Sequence, residues 1–130
     1  MIGIDTNVLV RYLVRDDPVQ TPRAERLLNA CTPADPAFVN RVVLCEVAWV
    51  LRDVYRYPRA LIADAMERVL MIGGFVVEDA RLAWSALHEF RNSRADFADC
   101  LLGLVNREVG CRTTYTFDGA AANLTMFAPL

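Results

Sequence analysis

The chain has 130 residues, with 14 basic and 16 acidic side chains and a net charge of −2, and this length suits one domain, spanning residues 1–130. An apolar content of 55% excludes a disordered or fibrous chain, and no apolar run reaches the roughly 18 residues that span a bilayer. The N-terminus lacks the basic start and long apolar region of a secretory signal, which predicts a cytoplasmic protein.

In the first 80 residues, three short apolar segments predict strands, and each is followed by a helix. The predicted strands are Ile2 to Asp5, Ala37 to Val39 and Phe75 to Val77. The predicted helices start at Thr6, at Thr21-Pro22, at the cap Asn40 and at Pro58, and the last three end near Cys31, Val54 and Met71.

The remaining residues continue the alternation of helices and strands. They predict helices from Asp79 to about Asn92 and from Ser93 to Gly110, a strand over 113–117, a short helix over 120–124 and a final strand near Met126-Phe127. Alternating strands and helices favour an α/β fold, a three-layer α/β/α sandwich around a mostly parallel sheet of about five strands.

Asp5 and Asp118 are predicted at the carboxyl ends of strands, where open α/β sheets collect functional groups. Each also has a purely structural interpretation. Asp5 precedes a helix, and Asp118 belongs to an Asp-Gly pair, which is common in turns.

Glu46 has only apolar neighbours three and four positions away on its predicted helix. Those neighbours are Val42, Val43, Trp49 and Val50. The pattern predicts a largely buried helix with Glu46 facing the core, where an ionised carboxylate needs either an arginine partner or a metal ion.

Asp99 repeats this pattern, since Ala95, Leu102 and Gly103 flank it at helical spacing and predict an inward side chain that ligands can approach. Asp96 lies three residues earlier. The segment Ser93-Arg94-Ala95-Asp96 also matches a capping box, so Asp96 is either a helix cap or a site residue.

Several converging carboxylates would repel one another unless a divalent cation lay among them. A donor set without His or Cys favours hard cations such as Mg²⁺ or Mn²⁺. Such ions assist the hydrolysis of phosphodiesters, so the residues favour a metal-assisted nuclease.

Four acidic motifs in order resemble those of PIN-domain nucleases, and the likeness covers the whole chain. They are Asp5-Thr6-Asn7-Val8-Leu9, Glu46, Ala95-Asp96-Phe97-Ala98-Asp99 and Thr116-Phe117-Asp118. A chain of this length resembles the toxin of a VapBC-type toxin–antitoxin pair. The last motif departs from the frequent Thr-Asn-Asp form, because Phe117 precedes Asp118.

This resemblance implies an RNA-hydrolysing enzyme in which Asp5, Glu46, Asp99 and Asp118 bind Mg²⁺ or Mn²⁺ and Asp96 is an auxiliary acid. It implies supporting roles for Thr6 and Asn7, which would orient Asp5 or its water. The implied partners are a cognate antitoxin and a second copy of the chain in a homodimer.

All fourteen basic residues are arginines, a side chain suited to phosphate contacts. Arg15 and Arg94 lie near the acidic motifs in the sequence and are the predicted RNA phosphate contacts. Solvated surface arginines are the alternative interpretation, and these side chains could equally face the antitoxin.

Three other classes of protein are alternatives to a nuclease. A response-regulator receiver needs a late lysine, and the chain has none; a dehalogenase-like phosphatase needs a second Asp at position 7, which is Asn7. The remaining alternative is a catalytically silent PIN-like module that binds RNA or protein.

Overall fold

The computed structural model describes all 130 residues, which divide into two compact units, Met1–Ala80 and Arg81–Leu130. The helices are Thr6–Val14 (α1), Gln20–Asn29 (α2), Arg41–Asp53 (α3), Arg59–Met71 (α4), Ala80–Arg91 (α5) and Phe97–Glu108 (α6). The strands are Ile2–Gly3 (β1), Ala37–Val39 (β2), Phe75–Val77 (β3), Thr114–Thr116 (β4) and Phe127–Pro129 (β5), and a 3₁₀ turn covers Ala121–Asn123. None of these helices combines the length and the apolar character needed to cross a membrane.

Every strand pair in the two sheets is parallel. In the first unit the order is β1-β2-β3, with Ile2 opposite Ala37 and Ala37 opposite Phe75. In the second unit β4 pairs with β5, and Thr114 lies opposite Phe127. The predicted α/β class with parallel strands is confirmed, and the five strands are divided into sheets of three and two.

The bounds of β2 and β3 follow from the residues beside them. Asn40 ends β2 because its side-chain oxygen accepts a hydrogen bond from the Val43 amide at 2.9 Å and thereby caps α3. Gly74 precedes β3, and a Cβ at this position would lie 2.5 Å from the Cys31 carbonyl oxygen. Only glycine permits that close approach.

The first helix begins one residue earlier than a Thr6 cap would place it. Asp5 is the N-cap, because its Oδ1 accepts from the Val8 amide at 3.1 Å, and Thr6 is the first helical residue. Since β1 and β2 are parallel neighbours, α1 and α3 both start at the same edge of the first sheet. That shared edge sets the geometry of the candidate site.

The predicted burial of α3 was wrong for one side of the helix. Leu44, Val47 and Leu51 have no exposed surface, and they form the core face of α3 in the first unit. Val42 is 60% exposed and Trp49 is 43% exposed. The prediction failed because scattered apolar residues are normal on protein surfaces and do not by themselves indicate burial.

The start of α2 also differs from the prediction, because Thr21-Pro22 lies inside the first turn rather than before it. Asp17 performs the capping: its Oδ1 accepts from the amides of Val19 at 2.9 Å and Gln20 at 2.6 Å. These backbone hydrogen bonds, Gln20 first, lower the pKa of Asp17 below the usual aspartate value.

A lowered pKa in the folded state makes the contribution of Asp17 to stability pH-dependent. The stabilisation is present above the unfolded pKa of about 3.9 and is lost as the pH falls through the lower folded value. We expect Asp17→Asn, which keeps an acceptor oxygen but loses the charge, to have a lower Tm than the parent at pH 7. The gap should close below about pH 4, as measured by thermal denaturation across pH; a gap constant down to pH 2 would refute this origin.

The predicted start of α6 at Ser93 was wrong by several residues. The helix begins at Phe97, and Asp96 occupies the N-cap position without a capping hydrogen bond from its side chain. The Ser93 hydroxyl instead accepts from the nearby Ala95 amide at 3.2 Å. The capping box expected from the sequence is therefore not formed.

Candidate active site

Asp5 lies exposed at the carboxyl edge of the first sheet, two residues beyond β1. The Val8 amide holds its Oδ1, and Oδ2 has no hydrogen bond within the unit. The first amides of α1 point toward this carboxylate. Asp5 thus has a fixed orientation and one oxygen that can bind a ligand.

Glu46 is tied to the same edge through Thr6, the residue after Asp5. The Thr6 hydroxyl donates a hydrogen bond to Oε2 of Glu46 across 40 positions of sequence. Glu46 is exposed, so the prediction that it faces the core was wrong. Burial therefore gives no reason to expect a metal ion at Glu46. The hydrogen bond from Thr6 is the structural reason to group Glu46 with Asp5.

A third acidic segment follows β3 at this edge, and its chemistry differs. Arg41 donates to Glu78 through its backbone amide, at 2.7 Å, and through its Nε, at 3.2 Å, and its guanidinium also donates to Asp79. Glu78 and Asp79 are thus both paired with one arginine. Asp5 and Glu46 form no ion pair, which separates them from this structural network.

Asp118 in the second unit has nearly the same arrangement as Asp5. It follows β4, is exposed, and accepts through Oδ1 from the amide of Ala121, the first residue of the 3₁₀ turn, at 2.8 Å. Its own amide donates to the Thr116 hydroxyl at 3.0 Å. Asp118 therefore stabilises a turn, as its Asp-Gly sequence suggests. Its second carboxylate oxygen takes no part in these hydrogen bonds.

Asp96 and Asp99 lie at the start of α6, and both side chains are half-buried. The inward orientation of Asp99 stays a prediction: Ala95 and Gly103, four positions to either side of it, are buried. Leu102 on the neighbouring turn is 46% exposed, and a Cβ on Gly103 would lie 2.4 Å from the Phe127 ring. Gly103 thus permits close packing of α6 on β5 rather than access for a ligand.

Within neither unit do three or more Asp, Glu, His or Cys side chains form a group able to hold a metal ion. The first unit contributes Asp5 and Glu46, and the second contributes Asp96, Asp99 and Asp118. All donors in the set are carboxylate oxygens, the ligands that Mg²⁺ and Mn²⁺ prefer. The donor chemistry of these residues fits a hard divalent cation.

A cleft of about 300 Å³ in the first unit opens beside Asp5. It lies between α1 and α2 and is lined by Asp5, Asn7, Val8, Arg11, Gln20, Arg23, Ala24 and Leu27. The predicted supporting residue Asn7 is exposed on its wall. The α2 residues that line the cleft recur at helical spacing, which is the sequence signal that could have identified them.

The two arginines of the cleft differ in their partners. Arg11 donates to Gln20 at 2.7 Å and to the Tyr55 hydroxyl at 2.8 Å, and lies 3.5 Å from Asp16. Burial first, and then a hydrogen bond with Asp16, raise the pKa of Tyr55. Arg23 is exposed and forms no ion pair, so it is the available cation on this wall; sequence reasoning missed it.

The predicted phosphate contacts are placed differently. Arg15 ends α1 with a left-handed backbone and pairs with Glu25 at 2.6 Å. Arg94 is exposed just before the Asp96 segment. The role of either arginine in binding phosphate stays a prediction.

Comparison with known proteins places this arrangement in a family. No curated protein is similar enough to count as a relative. The family profile of the PIN domain matches residues 2–125, which takes in all five candidate acids and both units. PIN domains are typically metal-dependent nucleases that act on nucleic acid. The chain belongs to the PIN domain family.

Proposed function

We propose that this chain is a metal-dependent ribonuclease that hydrolyses RNA phosphodiester bonds and acts as the toxin of a type II toxin–antitoxin pair. The observation that carries the proposal is the pair Asp5 and Glu46, in which each carboxylate keeps one oxygen outside the hydrogen bonds of its unit. Neither carboxylate has an arginine partner, so these oxygens can bind a hard divalent cation. Membership of a nuclease family supports the same conclusion.

The proposed metal ligands are Asp5, Glu46, Asp99 and Asp118, with Asp96 as an auxiliary acid, and the proposed ion is Mg²⁺ or Mn²⁺. The chemistry that such an ion supplies when bound is the activation of a water and the neutralisation of phosphate charge. The chain contains one histidine, His88, on α5 and outside these motifs. We therefore assign no proton transfer to a histidine.

The chain's own contribution is to fix its carboxylates before a ligand arrives. The Val8 amide orients Asp5, the Thr6 hydroxyl orients Glu46 and the Ala121 amide orients Asp118. Such partners limit the number of side-chain rotamers and so lower the cost of assembling a site. Thr6 is thus a positioning residue for Glu46.

RNA would be held through its phosphates. Arg23 is the strongest candidate for this contact in the first unit, because it shares a cleft wall with Asp5 and has no carboxylate partner. Arg15 would first have to release Glu25.

The proposal also includes a cognate antitoxin, a homodimeric state and a cytoplasmic location. The exposed apolar side chains of Val42 and Trp49 on α3 are compatible with a protein partner.

We expect the purified protein to cleave RNA in the presence of Mg²⁺ or Mn²⁺, to stop when EDTA is added, and to resume when the metal is restored in excess. The physical reason is that uncompensated carboxylates repel both one another and the phosphate. Gel analysis of a labelled RNA over time measures this dependence. Ca²⁺ provides a control, since it binds oxygen ligands with a looser geometry than Mg²⁺.

The silent RNA-binding or protein-interaction module predicts a different result in the same assay. It would bind RNA without cleavage at any metal concentration, and its expression would not slow growth. The toxin role predicts growth arrest on expression, relieved by co-expression of a short reading frame encoded immediately upstream. Cleavage that is unaffected by EDTA would contradict the metal-dependent mechanism.

A further inference from the structure

Two aromatic side chains lie exposed in the segment that leads to Asp118. Phe117 is 86% exposed, more than any other large apolar residue in the chain, and Tyr115 is 61% exposed. Neither ring contacts another aromatic ring. An apolar ring at the residue next to a candidate catalytic acid has no packing role that explains it.

Hydrogen bonds fix the backbone on both sides of Phe117, although the side chain itself is exposed to solvent. The Leu130 amide donates to the Thr116 carbonyl at 3.0 Å on one side of the residue. On the other side, Asp118 is fixed by its bonds to Thr116 and Ala121. Phe117 is therefore presented to solvent from a constrained position rather than from a loose loop.

Tyr115 lies two residues earlier in β4, and Phe117 is the bend residue directly after that strand. Burial alternates along this segment, since Thr114 and Thr116 are half-buried and positions 115 and 117 are exposed. The two rings thus form a short aromatic row that ends at Asp118.

A positively charged residue lies close to this row in the sequence. Arg112, two residues before β4, is exposed and forms no ion pair. An aromatic surface with a neighbouring free cation is complementary to a nucleic acid strand, in which flat bases alternate with anionic phosphates.

We propose that Phe117 is a stacking platform for an unpaired RNA base next to the phosphate that is cleaved, with Tyr115 available to the adjacent base. The proposal rests on the ribonuclease function above and adds a residue that contacts a base of the substrate. Bases inside a duplex already stack on each other and cannot reach an aromatic side chain. Stacking tolerates any base, so the platform selects for strandedness more than for sequence.

Kinetics with a short single-stranded oligoribonucleotide test this role. Phe117→Ala raises KM about tenfold, because base–aromatic stacking contributes affinity of this order, and the loss falls mainly on KM rather than kcat. Phe117→Trp restores the parent KM, whereas Phe117→Leu, which is apolar but has no ring, does not. Val109→Ala is the matched control, since Val109 is a 75% exposed apolar residue of the same unit, at the end of α6, and it leaves KM unchanged.

A spectroscopic readout separates stacking from a general loss of activity. An oligonucleotide that carries 2-aminopurine is mixed with the protein in Ca²⁺, and the base loses fluorescence when it stacks. The parent and Phe117→Trp quench the fluorescence, and Phe117→Ala does not. Equal quenching by the parent and Phe117→Ala overturns the proposal, and so does a change of oligomeric state in Phe117→Ala, which would assign the ring to a second copy of the chain.

The two proposals fail in different ways. If the parent does not cleave RNA in Mg²⁺ or Mn²⁺, the ribonuclease function is wrong, and the fluorescence experiment still decides whether Phe117 stacks on a base. If the parent cleaves but duplex and single-stranded RNA are equivalent substrates, the ribonuclease function stands and the stacking role is wrong.

Discussion

We expect Glu46→Gln to lower the rate of metal-dependent RNA hydrolysis by at least about 100-fold. Removing a residue that only hydrogen-bonds to a metal ligand already lowers activity roughly 10- to 100-fold, and Glu46 is a proposed ligand itself. Glutamine keeps the shape of the side chain and can still accept the Thr6 hydroxyl, so the substitution removes the charge and little else. The side chain is exposed, and the Tm should therefore stay near the parent value. Initial rates with a labelled RNA and a thermal melt measure the two effects separately.

Two further variants serve as comparisons for Glu46→Gln. Thr6→Val removes only the hydrogen bond that orients Glu46, and we expect a smaller loss of about 10- to 100-fold. Glu89→Gln on α5 removes an equal charge outside the acidic motifs and should cleave like the parent. If Glu46→Gln cleaved as fast as Glu89→Gln, Glu46 would have no part in the site.

Phe97→Ala is expected to lower the free energy of unfolding by about 3–5 kcal/mol. Phe97 is 2% exposed, and its ring packs edge-on against Phe90 with centroids 6.2 Å apart. The loss is a large part of the roughly 5–15 kcal/mol available to a whole domain. Because Phe97 is the first residue of α6, between Asp96 and Asp99, the same change would loosen the segment that holds both acids.

Urea denaturation of Phe97→Ala and Phe117→Ala compares one substitution in two environments. Substituting the exposed Phe117 should lower the free energy of unfolding by no more than about 0.5 kcal/mol. Similar midpoints for the two variants would contradict the buried position of Phe97.

The sequence was most informative where strong local signals bound an element. Pro36 and Asn40 enclose β2, Gly73-Gly74 precedes β3, and both strands lie where they were predicted. The capping of α2 was missed because Asp17 is separated from its helix by Pro18, so the cap did not lie beside the first apolar residue. Helix starts depend on single hydrogen bonds that composition does not reveal.

The candidate site was predictable as a set of residues but not as a geometry. Motif order proposed Asp5, Glu46 and Asp118 as site residues, and their roles stay a prediction. Helical spacing misplaced Glu46, because Val42 and Trp49 are surface residues. The Thr6–Glu46 hydrogen bond joins residues 40 positions apart. Such a contact depends on the parallel pairing of β1 with β2, and no local pattern encodes it.

The hydrogen bonds at Asp5 and Asp118 have a consequence for how the proposed activity could be lost. In both residues the oxygen that accepts from the following amide could be supplied by an asparagine, which is as common as aspartate at helix starts and turns. Under the proposed function, a single-base change from Asp to Asn would remove a metal ligand. The chain would still fold, because these hydrogen bonds need an acceptor oxygen, which both side chains supply.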